Sequence, residues 1–185
     1  MSVACITVTY GAAPDFARMQ ASLARSVRDG SVGTEVATSI VVQPDGFGCV
    51  ADTTEGADTV RLERRVIQAG ENLGFAAANN LAVAETSSEF IGFLNPDLEL
   101  TEGWLPPLLA ALEDPAVAIA APVLLHTEGH IDEAGQVVFS DGGSLAIGGA
   151  DWPGGRDSYP TVMFDRDVDY ASAACWAMRR STFLS

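Results

Sequence analysis

The sequence contains no lysine. All ten of its basic residues are arginine, set against 25 acidic residues, for a net charge of −15. A chain this acidic has no overall field with which to hold nucleic acid or an anionic membrane, so partners of that kind are not expected. A phosphate ester would need a local remedy, either a divalent cation or a helix N-terminus. Cysteine is scarce as well. Cys5, Cys49 and Cys175 are widely separated and lack CxxC spacing, so they read as reduced residues of a cytosolic protein. Histidine occurs only at His126 and His130. Four residues apart, the pair could share a metal on a helix, but "HTEGHIDEAG" carries two glycines and reads as loop, so no zinc site is expected there. Long apolar runs are missing too. The longest uncharged one, "VAIAAPVLL" at 117–125, is far too short to span a bilayer, so no transmembrane segment is expected. Neither GxGxxG nor GxxxxGK[ST] follows the first apolar stretch, which argues against a dehydrogenase or another common nucleotide-binding α/β protein.

What is present fits one ordinary globular domain. Apolar residues make up 48% of the 185 and charged residues 19%, enough apolar material for a core and too little charge for a disordered chain. "MSVACITVTY" has no basic region and no cleavage-like site, so it reads as a first strand and not as a secretory signal. Residues 3–10 alternate in the β-branched manner of a strand, and 15–27 repeat Phe16, Met19, Leu23 and Val27 at helical spacing. A second strand is expected over 35–42, then a long loop from Gln43 to Asp58, an edge-like strand over 60–68 and a helix over 74–86. A buried strand over 89–95, a helix over 102–114, a buried strand over 117–125 and a last strand over 168–178 follow. Between them, Gly129–Pro160 is glycine-rich and loop-like, with one hairpin candidate at "GQVVFSDGG". Strands alternating with helices predict an α/β protein with a mostly parallel, doubly wound sheet.

Ligands of such sheets sit beyond the carboxyl ends of the strands. Four polar clusters fall at those ends: Thr9-Tyr10-Gly11, Gln43-Pro44-Asp45, Asn72-Leu73-Gly74 and Asn95-Pro96-Asp97. Asp97, at the tip of the buried stretch "FIGFLNPD", is a carboxylate suited to a hard divalent cation that bridges phosphate oxygens. The same three residues also suit a plain turn. Gly74 opens an alanine-rich helix whose free N–H groups could receive an anion; the bland reading is an Asn/Gly turn into an ordinary helix. Arg179-Arg180 reads either as a phosphate-binding pair or as a basic pair ending a strand. Trp104 and Trp176 read as core, whereas Trp152 lies in a glycine-rich loop.

"ITVTYG", "NLGFAAANN", "FLNPDLELTEGWLPPLLAALED" and "DYASAACWAMRR" stand in the order and approximate spacing of the GT-A glycosyltransferases of family 2. The sequence resembles that family from Val3 to Arg180, most of all its bacterial rhamnosyltransferase-like members that build cell-wall or surface polysaccharide. The resemblance implies a GT-A, Rossmann-like fold with a small antiparallel portion, in a single nucleotide-sugar-binding domain over 1–185. It implies inverting transfer from a nucleotide-diphosphate sugar, a dTDP-deoxysugar such as dTDP-rhamnose or a UDP-sugar, to a glycan or lipid-linked acceptor. A cytoplasmic location follows, with the inner face of the membrane as a peripheral station. By residue, Asn95-Pro96-Asp97 occupies the family's Asp-x-Asp position, with Asp97 as ligand of Mg²⁺ or Mn²⁺. Thr9 and Tyr10 lie beside the nucleotide base, and Gly74 and Asn80 flank the nucleotide. Ala173 stands where the family usually has Gly, near the donor sugar. Where the second strand usually ends in a base-reading Asp, this chain has Gln43, with Asp45 as the alternative reader. The chain stops at "RRSTFLS", before the family's Gly-Gly-Phe-Asp and Glu-Asp segments, so it reads as a donor-binding part lacking the usual general base. Asp167 and Asp169 are the nearest alternative bases, and the catalytic residue is left unassigned.

Overall fold

A computed structural model describes residues 1–10, 14–28, 36–44, 53–57, 60–153, 162 and 164–185. In chain order the elements begin with β1 (Ser2–Val8), α1 (Pro14–Arg28), β2 (Val36–Gln43), β3 (Thr53–Ala57), β4 (Val60–Gln68), α2 (Gly74–Ala84) and β5 (Phe90–Leu94). They continue with α3 (Leu105–Ala111), β6 (Ile119–Ala120), β7 (Leu124–Leu125), β8 (Ile131–Glu133), β9 (Gln136–Val138), β10 (Ser144–Ala146), β11 (Cys175–Arg179) and α4 (Arg180–Phe183). The described residues form two compact units, Met1–Ala120 with Ala173–Ser185, and Ala121–Ser172.

The first unit is built on a seven-stranded sheet of order β3-β4-β2-β1-β5-β11-β6. β4, β2, β1 and β5 run parallel, while β3 and β11 pair antiparallel with their neighbours. This is the mostly parallel α/β sheet expected. Alternation along β1 separates its two covered faces. Ala4 and Ile6 pack with Val42, Ile91, Phe93 and Met178 against Ala78, Ala82 and Val83 of α2. The opposite face carries Cys5, which registers with Ser39 and through it with Arg64. Arg64 Nε donates to Gln20 of α1 at 2.9 Å, so α1 covers that second face. α1 settles there through Phe16, Met19 and Leu23, all buried at the expected helical spacing.

Arg179 and Arg180 resolve into structural roles. Arg179, in register with Phe90, reaches the carbonyls at the end of α3. Its guanidinium donates to Leu112 O, to Asp114 O at 3.3 Å, to Pro115 O at 3.4 Å and to Val117 O at 2.6 Å. Arg180 Nε donates to Val83 O in the last turn of α2 at 3.2 Å. Helix C-termini leave carbonyls without intrahelical partners, and a cation there also suits the helix dipole. The pair closes two helices.

Three sequence expectations are corrected. β4 is not an edge strand, because β3, in the stretch expected to be loop, pairs along its outer side. "TTEGA" lacks apolar alternation, so nothing local announced it; its partner's free edge makes it a strand. "VAIAAPVLL" is not one buried strand. It divides into β6 and β7 around Pro122, which has no N–H to give a ladder, and Ile119 and Leu125 stand exposed. The last strand starts at Cys175 and not at 168, after a turn at Ala173-Ala174.

The second unit holds two antiparallel pairs, β7 with β8 and β9 with β10. The latter is the expected "GQVVFSDGG" hairpin. Ile131, Ala134, Ile147 and Val162 form its small core, with Val123, Val137 and Trp152 packed on them. Glu133 is buried and engaged, accepting from Gln136 Nε2 at 2.5 Å and from Ser172 N–H at 2.7 Å. Gly135 is obligatory: its φ is +82°, and a Cβ there would lie 2.5 Å from Val168 Cγ1.

Replacing Arg179 with Met removes the fourfold carbonyl contact while keeping the aliphatic stem. Hydrogen bonds to charged groups are worth about 1.5–3 kcal/mol, and a loss of about 2 kcal/mol in urea denaturation is expected. A change below about 0.5 kcal/mol would contradict the capping role.

Candidate functional site

The parallel register gathers one set of strand ends. Val8 is opposite Val42 and Ile6 opposite Phe93, so the chain leaves β1, β2 and β5 on the same side. Thr9 follows β1, is buried, and donates its N–H to Val42 O at 3.0 Å, while Tyr10 beside it is 65% exposed. Gln43 is the last residue of β2; its side chain, and Asp45 and Cys49 altogether, lie outside the described residues. Because β11 is antiparallel to β5, its beginning meets the end of β5. Asn95 N–H donates to Ala174 O at 2.8 Å, which draws half-buried Ala173 to this same edge.

Asn95 is half-buried and starts a tight turn closed by Leu98 N–H to Asn95 O at 3.4 Å. That turn lifts Asp97 into solvent. Among the described residues, Asp97 stands outside the one group of three side chains close enough together to share a metal ion. One exposed carboxylate with a neighbouring amide suits Mg²⁺ or Mn²⁺, since such ions keep several waters and take one or two carboxylates plus ligand phosphates. The residues fit a cation shared with a diphosphate, not a closed protein cage.

Gly74 begins α2 with φ +72°, where an L side chain is strained, and its N–H is taken by Asn72 Oδ1 at 3.0 Å. Leu73, at the N-cap, offers no side-chain cap, and Phe75, Ala76 and Ala77 of the first turn are exposed. Asn80 is exposed on this helix; Asn79 is buried and donates to Phe75 O at 2.9 Å, spending its amide within the helix. Two further groups at this edge were missed in reading the sequence. One is the Ala174 carbonyl, a backbone contact. The other is Thr7, whose hydroxyl is buried without a hydrogen-bond partner, two residues before Thr9. A Thr inside an apolar strand would have been the clue. Asp169, a candidate base by sequence, accepts the Val138 N–H at 3.1 Å in the second unit, and Asp167 is exposed.

The sequence profile of Glycosyl transferase family 2 matches residues 5–184, and the chain belongs to that family. It is 29% identical over 121 residues to the uncharacterized protein y4gI of Sinorhizobium fredii (strain NBRC 101917 / NGR234), covering 64% of this chain and 13% of that protein. It is 33% identical over 116 residues to the O-antigen biosynthesis protein RfbC of Myxococcus xanthus, covering 60% of this chain and 9% of the relative. The chain thus spans a small part of the length of these relatives. Among solved structures, the mannosyltransferase PcManGT from Pyrobaculum calidifontis, in complex with GDP-Man and Mn²⁺, is 18% identical with a TM-score of 0.49, covering 67% of this chain and 35% of that one.

Cys175, opposite Leu94 at the start of β11, is buried next to this edge, and Cys5 is buried farther down β1, opposite Gly92. Burial pushes the Cys5 thiol up to about 12, with Cys175 as a lesser cause, and burial alone pushes Cys175 up to about 12. Both thiols stay protonated in the fold and ionise near 9 when unfolded. Their contribution is therefore fully present below pH 9 and is lost as pH rises toward 12. Denaturation midpoints of the native chain should fall more steeply across pH 9–11 than those of a Cys5→Ala/Cys175→Ala double variant. Parallel pH profiles would contradict this.

Proposed function

We propose that the chain binds a nucleotide-diphosphate sugar along the carboxyl edge of its sheet, as the donor-binding part of an inverting glycosyltransferase that builds cell-wall or surface polysaccharide. The gathering of Thr9, Gln43, Asn95 and Ala173 at one edge, in a chain of family 2, carries this reading. The nucleotide base lies beside Thr9 and Tyr10, with Gln43 or Asp45 hydrogen-bonding its edge. The diphosphate approaches Gly74, Asn80 and the free N–H groups of the first turn of α2. Asp97, with Asn95 beside it, holds Mg²⁺ or Mn²⁺. When bound, that cation takes up charge on the departing diphosphate. Ala173 lies against the donor sugar and limits its bulk by one methyl relative to Gly. The donor is a dTDP-deoxysugar such as dTDP-rhamnose, or a UDP-sugar; the acceptor is a glycan or lipid-linked glycan met in the cytoplasm or at the inner membrane face. The likeness to an O-antigen biosynthesis protein supports the polysaccharide assignment.

A second reading, a nucleotide-sugar-binding module without turnover, is favoured by one observation. The Asp169 carboxylate, a candidate base, is already holding the Val138 N–H in the β9–β10 hairpin. Transfer needs a base positioned at the acceptor hydroxyl, and this bond ties Asp169 to the hairpin backbone.

Calorimetry with dTDP, UDP and GDP, each with and without Mn²⁺, tests the donor site. At least one should bind more tightly with Mn²⁺, and Asp97→Ala should weaken that binding by at least about tenfold, roughly 1.4 kcal/mol. Equal affinity in the two proteins would remove Asp97 from the site. A Gly74→Val change, forced onto a positive φ, should weaken binding as well; unchanged affinity would remove the α2 N-terminus.

A further inference from the structure

The turn between β7 and β8 carries a group that the glycine-rich, loop-like reading of the sequence argued against. His126 and His130 close this turn, with His126 N–H donating to His130 O at 2.8 Å. Gly129 N–H donates to His126 O at 2.8 Å, and Gly129 adopts φ +85°, which makes the reversal possible. The closure lays the two imidazoles face to face, their centroids 4.7 Å apart and their planes 12° apart. Glu128, at the tip, puts Oε2 3.8 Å from His130 Nδ1, and its N–H makes a long contact of 3.5 Å to His126 Nδ1. One donor atom from each of the three side chains lies within 4.8 Å of the other two. A spacing of four residues therefore brings two imidazoles together here through a turn, as it would have through a helix.

We propose that His126, Glu128 and His130 form a binding site for a borderline divalent transition-metal ion, with Zn²⁺ as its natural representative. Two imidazole nitrogens and one carboxylate oxygen suit Zn²⁺, Ni²⁺ or Cu²⁺, whereas Mg²⁺ and Mn²⁺ prefer oxygen donors. With metal–donor bonds of about 2.1 Å, donors around a tetrahedral ion sit roughly 3.4 Å apart. The group has to close by about 1.4 Å, and the stacked imidazoles have to turn out of their parallel arrangement so that their in-plane lone pairs converge, a movement about their side-chain torsions. Three ligands on one closed turn leave little ordering entropy to overcome on binding. His126 and Glu128 are exposed and His130 is half-buried, so an ion enters from solvent and water completes its coordination. The net charge of −15 raises the local cation concentration in the site's favour. The ion fixes the β7–β8 turn, and its chemistry separates it from the hard cation assigned to Asp97.

The test is Zn²⁺ titration against a chromophoric chelator, without nucleotide, in the Asp97→Ala chain so that the sheet-edge carboxylate contributes nothing. One equivalent should bind with Kd on the order of 1–10 μM, unaffected by millimolar Mg²⁺. His126→Ala and His130→Ala should each weaken binding at least about tenfold, and Glu128→Gln by roughly three- to tenfold, with circular dichroism unchanged. Cu²⁺ bound to the same chain should give an electron paramagnetic resonance spectrum with coupling to two nitrogens. Less than a fifth of an equivalent bound at about 50 μM Zn²⁺, or undiminished binding in the His126→Ala/His130→Ala double variant, would overturn the site.

Discussion

The in-register parallel pairing of β2, β1 and β5 is the constraint on which the rest of the first unit depends. Parallel strands leave all their carboxyl ends on one side, and here that side collects Thr9, Gln43 and Asn95 within three neighbouring strands. The antiparallel insertion of β11 beside β5 then adds a loop from late in the chain to the same edge, pinned by Asn95 N–H to Ala174 O. Slipping β11 by one residue would break that bond and turn Trp176 and Met178 away from Phe93 and the α2 face, so packing and site geometry share one register. The edge contact of Trp176 with Phe93, centroids 6.0 Å apart, belongs to that same lock.

The acidic character of the chain sharpens what such an edge has to supply. With a charge of −15, two of the few cations, Arg179 and Arg180, are spent on the carbonyl ends of α3 and α2. They hold helices against the sheet and are not offered to a ligand's phosphates. In the proposed function, helix N–H groups and a carboxylate-held cation meet the diphosphate, which is how Gly74, α2 and Asp97 divide the work.

The core of the fold was legible because its signals are local and periodic. β1, α1, β2, α2 and β5 carry their strand or helix pattern in a single stretch, and the order of these elements implies the parallel sheet. β3 was hidden because its strand character comes from β4 beside it and not from "TTEGA" itself. "VAIAAPVLL" misled because apolar content hid a proline that splits it between the two units. At the sheet edge, polar side chains at strand ends were readable, whereas the Ala174 carbonyl and the arginine caps were not, since they depend on which chain segment packs alongside. The closeness of the two histidines was hidden for a related reason. A four-residue spacing was read only through helical geometry, while a turn with Gly129 at positive φ achieves the same approach.

The most direct test of the carboxyl-edge site uses Mn²⁺ as a paramagnetic probe together with dTDP or UDP, read on backbone amide resonances. Nucleotide-dependent broadening should concentrate at Thr9, Gly74, Asn95, Asp97 and Ala174, and should vanish in Asp97→Ala. Broadening centred on Ser2, Glu89 and Arg180, at the opposite ends of the same strands, would contradict the account.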